Sequence, residues 1–195
     1  MNESRGSVRI PDAVVARYPA AVLPPAPHTP GELRRLISIL DDEDVMTVAI
    51  GHGRHEASEA AATALASACA VAGRTVLTIV DWPATAASWL RPARRLASAC
   101  ADAVVIADTP AGCAQVTARL AGLGWCPARL YGFASVASPD LLSLSGPGTL
   151  AGMTGPTPDG GLWRVGHTLV CADGRSSLVF LTAVTARPLA LCPRG

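Results

Sequence analysis

Residues 47–61 read TVAIGHGRHEASEAA. The stretch runs from apolar and β-branched residues through Gly51-His52-Gly53-Arg54-His55 into an alanine-rich run with two glutamates. It predicts a strand (VMTVAI, 45–50), a glycine-flanked turn, and a helix (EASEAAATALASACAVAG, 56–73) with Gly73 as its C-cap. Two histidines and an arginine stand in the turn, so this strand-to-helix corner is the first place to look for a ligand.

The same unit recurs downstream. TVLTIV (75–80) leads to ATAASWLRPARRLASAC (84–100), a helix that Pro92 kinks or restarts. AVVIA (103–107) leads to AGCAQVTARLAGLG (111–124), which ends at Gly122 or Gly124, and the strand ARLYGFA (128–134) follows. Near-continuous apolar strands are those buried on both faces. Alternating strands and helices imply a parallel sheet with right-handed crossovers. The expected fold class is therefore a three-layer, Rossmann-like α/β domain.

The flanks differ. Residues 1–31 hold six prolines, including LPPAPHTP at 23–30, and read as a Pro-rich N-terminal arm lying extended on the surface. Helical spacing of Leu33, Leu36, Ile37 and Leu40 follows, with Thr29-Pro30 as cap and first helical position. Residues 135–161 are rich in Gly, Pro, Ser and Thr and read as a long functional or mobile loop. Residues 162–185 read as an antiparallel β-hairpin turning at Asp173-Gly174. Residues 32–195 are thus expected to form a single domain, its mostly parallel sheet completed by that C-terminal hairpin.

Composition removes several functions. The chain has 195 residues, a net charge of +1 and 16% charged residues. That balance gives no electrostatic basis for a nucleic-acid or membrane surface, and no segment is long and apolar enough to span a bilayer. The low charge density leaves two readings, a homo-oligomer whose second subunit covers apolar surface, or a genome that favours Ala and Arg codons. All 16 basic residues are arginine. Without lysine there is no P-loop Lys and no Schiff base, which excludes PLP enzymes of the usual kind. The six cysteines form no C-x-x-C and sit in apolar runs. With a polar opening in place of a signal peptide, free buried thiols point to a cytoplasmic protein. Cys113, at a helix start, is a candidate nucleophile, but no histidine is expected beside it.

The second and third strands end alike, in VDWPA and ADTPA, placing Asp81 and Asp108 at matching junctions. In a parallel sheet these junctions share the carboxyl edge with residues 51–55, the edge where open α/β folds bind ligands. Helix capping explains each Asp equally well. Two ligands fit the corner. For a dinucleotide or other nucleotide cofactor, NAD(P) or S-adenosylmethionine, Gly51 and Gly53 would admit the phosphates, Arg54 would contact them, and Asp81 would hold a ribose. For a divalent metal, His52 and His55 would be the ligands of an open site.

VAIGHG followed by a helix resembles the opening of the class II chelatases, which insert cobalt, nickel or iron into sirohydrochlorin-type tetrapyrroles without ATP. The strand and helix layout of residues 75–107 and the stretch ARLYGFASVASPDLL (128–142) are similar as well. The resemblance covers residues 45–142 and implies a chelatase-like domain with His52 as the catalytic residue, handling a metal or tetrapyrrole at the carboxyl edge. Two features depart from the family. Arg54 stands where it has Ser, and DTPAGC (108–113) lacks its second histidine, leaving His167 as the one later candidate. The competing expectations are a nucleotide-dependent oxidoreductase or methyltransferase, and a non-catalytic binding or assembly module. All three take a small-molecule ligand or a partner at that edge.

Overall fold

The computed structural model describes residues 12–84, 88–146, 148–166 and 169–172. Its centre is a seven-stranded sheet in the order β2-β1-β3-β4-β5-β6-β7. The strands are β1 (Thr47–Gly53), β2 (Thr75–Trp82), β3 (Ala103–Ala107), β4 (Leu130–Gly132), β5 (Thr154–Pro156), β6 (Leu162–Val165) and β7 (Leu169–Ala172). The first five are parallel, and β6 and β7 join as an antiparallel pair. The mixed α/β class read from the sequence is the observed one.

Helices cover both faces. On one, α2 (Pro30–Asp42) and α3 (Glu56–Val71) bury Leu36, Leu40, Leu65 and Cys69 against Val48, Ile50, Val105 and Tyr131. On the other, α4 (Leu90–Ser98), α5 (Pro110–Gly122) and α6 (Pro139–Ser145) bury Leu96, Val116, Leu120 and Leu141 against Ala49, Val80, Val104 and Ile106. Alternate residues of each central strand serve opposite cores, as a period of two requires.

Local chemistry explains most element ends. Thr29 caps α2 in a capping box, its hydroxyl accepting from the Glu32 amide at 3.0 Å while the Glu32 carboxylate accepts from the Thr29 amide. α3 and α5 both end in Schellman geometry. Gly73 (φ 73°) and Gly124 (φ 83°) take the left-handed position, and the next amides, Arg74 and Trp125, donate back to Cys69 and Leu120. Pro92 lies in the first turn of α4, where no intrahelical bond is lost.

Three expectations need correction. The turn after β1 begins at Arg54, because the strand continues through Gly51-His52-Gly53, pairing with β2 as far as Trp82. Residues 135–161 are no structureless loop: they carry a short 3-10 turn (Ala134–Val136), α6 and β5. β6 and β7 pair antiparallel with Val165 facing Leu169, so the chain reverses between them before Asp173-Gly174, which lies outside the described residues. His167 and residues 173–185 lie outside the described residues.

The Pro-rich arm is described from residue 12. A helix, α1 (Asp12–Arg17), and a 3-10 turn (Pro19–Val22) precede α2. The 3-10 turn packs on α5 and α6 with Ala21 fully buried, whereas α2 lies on the opposite face. Residues 23–29 therefore cross from one face to the other over the carboxyl ends of β4 and β5.

Candidate functional site

Reversal of strand order between β1 and β3 makes a switch point at the carboxyl edge, and residues 53–55 and 108–109 flank it. Register decides what each residue does there. Gly53 pairs with Trp82, and His52 with both Asp81 and Ala107. One step further along β3, Asp108 returns to the face that holds Trp82 and Gly53.

These three form one packed unit. The Trp82 indole N–H donates to Asp108 Oδ2 at 2.6 Å, and the Thr109 amide donates to Oδ1 at 2.7 Å. A Cβ on Gly53 would lie 2.7 Å from Asp108 Cγ, and one on Gly112, in the first turn of α5, would lie 2.6 Å from it. A Cβ on Gly51 would meet the Trp82 ring at 2.6 Å. The space beside Gly51 and Gly53 is thus filled by side chains of neighbouring strands. Asp108 is 3% exposed, and burial pushes its carboxyl above the ordinary range, against the opposing pull of the Trp82 and Thr109 hydrogen bonds. The N-cap of α5 is Thr109, whose hydroxyl accepts from the Gly112 amide, so Asp108 is not the cap.

Asp81 fares differently although its sequence context echoes that of Asp108. It sits inside the edge strand β2, half-exposed, and accepts from Arg54 Nε at 2.5 Å. The Arg54 hydrogen bond holds the Asp81 carboxyl below the usual range. Arg54 is itself fixed by its amide, which donates to the Trp82 carbonyl at 3.0 Å. His52 is buried with Nδ1 3.0 Å from the Gly53 carbonyl oxygen. His55 is the N-cap of α3 without a side-chain capping bond.

Beyond Arg54, Asp81 and Trp82 a cleft of about 330 Å³ opens between the end of β2 and the start of α4, with Ser88, Arg91 and Arg95 on its far wall. Sequence reasoning missed the helix arginines. Alternating with apolar residues on an amphipathic helix, they carry no local signal beyond a solvated face.

Further along the edge, the loop after β4 is stitched down. Glu32 Oε1 accepts from the Ala134 amide at 2.7 Å, and the Ser135 hydroxyl donates to the Asp108 carbonyl at 3.0 Å. His28 meets Phe133 edge-on at 5.9 Å, and the Thr29 hydroxyl donates to the Pro158 carbonyl at 2.8 Å. His28 is half-buried at this contact.

Among the described residues no three His, Cys, Asp or Glu side chains gather to hold a metal ion. One expectation fails on this geometry. Cys113 is fully buried, and desolvation, with the Asp108 carboxylate adding to it, pushes its thiol well up, the opposite of an activated nucleophile.

No protein-family model and no curated protein sequence matches the chain. Solved structures do. An extracellular ligand-binding receptor from Rhodopseudomonas palustris superposes with a TM-score of 0.59 at 18% identity, over 79% of this chain and 50% of the receptor. A second, from Rhodopseudomonas palustris HaA2, gives 0.60 at 16%, over 70% and 39%. A substrate-binding periplasmic protein from Ralstonia solanacearum gives 0.58 at 17%, over 70% and 39%. The chain spans half or less of each of these, and the likeness is one of fold. It overturns the chelatase resemblance, and with it the metal- and tetrapyrrole-handling function that the resemblance implied. The cytoplasmic expectation falls too, since these neighbours are extracellular and periplasmic proteins. It rested on free buried thiols and a polar opening; Cys69 and Cys113 are free and buried, whereas Cys126 is disulfide-bonded.

Proposed function

We propose that the chain is a non-catalytic binding module that holds a small-molecule ligand at the carboxyl edge of its sheet. The observation that carries this is the placement of the cleft. It opens at the carboxyl end of β2, beside the β1/β3 switch point, and Arg54, Asp81 and Trp82 line it. Open α/β sheets bind ligands at such points because the loops there diverge and leave a crevice. Its volume falls at the lower end of small-molecule sites, roughly 300–1,000 Å³. Solved neighbours described as ligand-binding receptors and a substrate-binding protein support the reading. So does the packing of the corner's two glycines: Gly51 and Gly53 face protein side chains, which leaves a dinucleotide without the backbone approach it needs.

We also assign the chain to an oxidising compartment outside the cytoplasm. The disulfide at Cys126 supports this, because such bonds persist where thiol reductants are absent.

Thermal-shift measurements against a panel of small metabolites, at 1 mM each, test the binding role. A ligand present at 100 times its Kd stabilises by about 2.7 kcal/mol. For a chain of this size that raises Tm by roughly 5–11 °C. At least one compound is expected to give a saturable rise that Arg54→Ala or Asp81→Ala diminishes. A panel without a saturable shift, together with native mass spectra free of bound compounds, would overturn the reading.

A further inference from the structure

We infer that the cleft beside β2 is an anion subsite, taking a small molecule whose oxyanion group, a carboxylate or a phosphate, sits between Arg91, Arg95 and Arg54. This deepens the binding-module reading and rests on it. Three arginines and one aspartate line the cleft. Asp81 is engaged by Arg54, the one arginine here with a carboxylate partner. Among the described residues neither Arg91 nor Arg95 forms an ion pair. The sequence offers them no nearby acid, since no Asp or Glu stands between Asp81 and Asp102.

The arrangement is unfavourable when empty. Arg91 and Arg95 are four apart on α4, so their charges share one helical face, and like charges at that spacing repel. Arg91 also stands in the first turn, where the helix end is already partially positive, and no acidic residue accompanies it there. A bound oxyanion removes both penalties at once, and two or three guanidinium groups can give it paired hydrogen bonds. The rest of the lining suits the remainder of such a molecule. Pro83 is half-buried and supplies apolar contact, over a floor of the buried Val80, Trp82 and Pro92. Ser88 adds one hydroxyl.

The test uses the full chain and two probes, sodium phosphate and sodium succinate, titrated calorimetrically against sodium chloride at matched ionic strength. Arg91 and Arg95 are exposed, so Arg91→Ala/Arg95→Ala is expected to fold, which its melting curve checks. At least one probe should bind saturably to the wild type and at least tenfold more weakly to the double variant. Phosphate alone binding identifies a phosphoryl-bearing ligand, succinate alone a carboxylate, and both an undiscriminating oxyanion site. The inference is overturned if neither probe binds more tightly than about 1 mM, or if the double variant binds as well as the wild type. In that event the binding-module reading still stands wherever an uncharged panel compound stabilises the protein. It falls only with the panel itself.

Discussion

Gly53→Ala separates two reasons for a glycine at the end of β1. If the residue is small so that a ligand can approach, the substitution leaves stability alone and damages binding. If it is small because Asp108 occupies the space, the fold suffers. A methyl here would stand 2.7 Å from Asp108 Cγ, closer than real Cβ contacts come, and Gly112 closes the other side. Overpacking of this kind costs about 1–3 kcal/mol. Displacing the carboxylate also strips the Trp82 N–H of its acceptor, held at 2.6 Å, and an unsatisfied buried donor adds about 1–3 kcal/mol. The combined loss of roughly 2–6 kcal/mol corresponds to a fall in Tm of roughly 4–24 °C for a chain of this length. The same substitution in an Asp108→Ala background meets no carboxylate. Gly53 does not take a positive φ, so alanine there should be neutral or should stabilise by about 0.4–1 kcal/mol through the unfolded chain. Urea unfolding of the four proteins completes the double-mutant cycle. Gly53→Ala melting within a degree of the wild type, or falling equally in both backgrounds, would refute the packing argument.

Glu32→Ala should destabilise by about 1–3 kcal/mol in urea unfolding, since it leaves the Ala134 amide without its buried acceptor and breaks the capping box; a loss under about 0.5 kcal/mol would mean the loop after β4 is held by other contacts. Because burial raises the Asp108 carboxyl, the folded state keeps its proton to higher pH than the unfolded chain. Wild-type stability should therefore fall as pH climbs from the unfolded value near 3.9 through the raised one. Asp108→Asn should lack that fall, so matching pH profiles for the two proteins would contradict the burial argument. Cys126 is disulfide-bonded, so alkylation of unfolded, unreduced protein should add fewer labels by intact mass than the six cysteines of the chain take after reduction, and six labels before reduction would remove the support for an oxidising compartment.

The parts of the fold legible in the sequence are those set by local chemistry. AVVIA reads as a doubly buried strand and is β3, residue for residue. Gly73 stops α3 because nothing else near it takes a positive φ cheaply. What escaped depends on contacts between distant residues. Glycines lower the apolar signal, so β1 reads as ending at Ile50, although pairing with β2 carries it to Gly53. β5 is three residues long and ends in Pro156, a pattern local periodicity does not record as a strand. The echo of Asp81 and Asp108 misled for a geometric reason. The matching motifs belong to an edge strand and a central strand whose registers differ by one residue. Consequently Trp82, and not Asp81, shares a face with Asp108.

The Pro-rich segment bears on where a ligand can enter. Between the 3-10 turn on α5 and the capped start of α2, residues 23–29 have only the carboxyl edge of β4 and β5 to cross. His28 rests against Phe133, Thr29 is bonded to Pro158, and Glu32 anchors Ala134. Proline suits such a crossing, because its fixed φ and missing N–H favour extended chain that asks for no ladder partner. The strap occupies the half of the edge where β5 turns into β6. The half formed by β2, β1 and β3 is left uncovered by it, and that is where the switch point and the arginine-lined cleft lie. A ligand on this chain is thereby directed to one end of the sheet, where Arg54 and Asp81 hold each other in place and Arg91 and Arg95 await a partner.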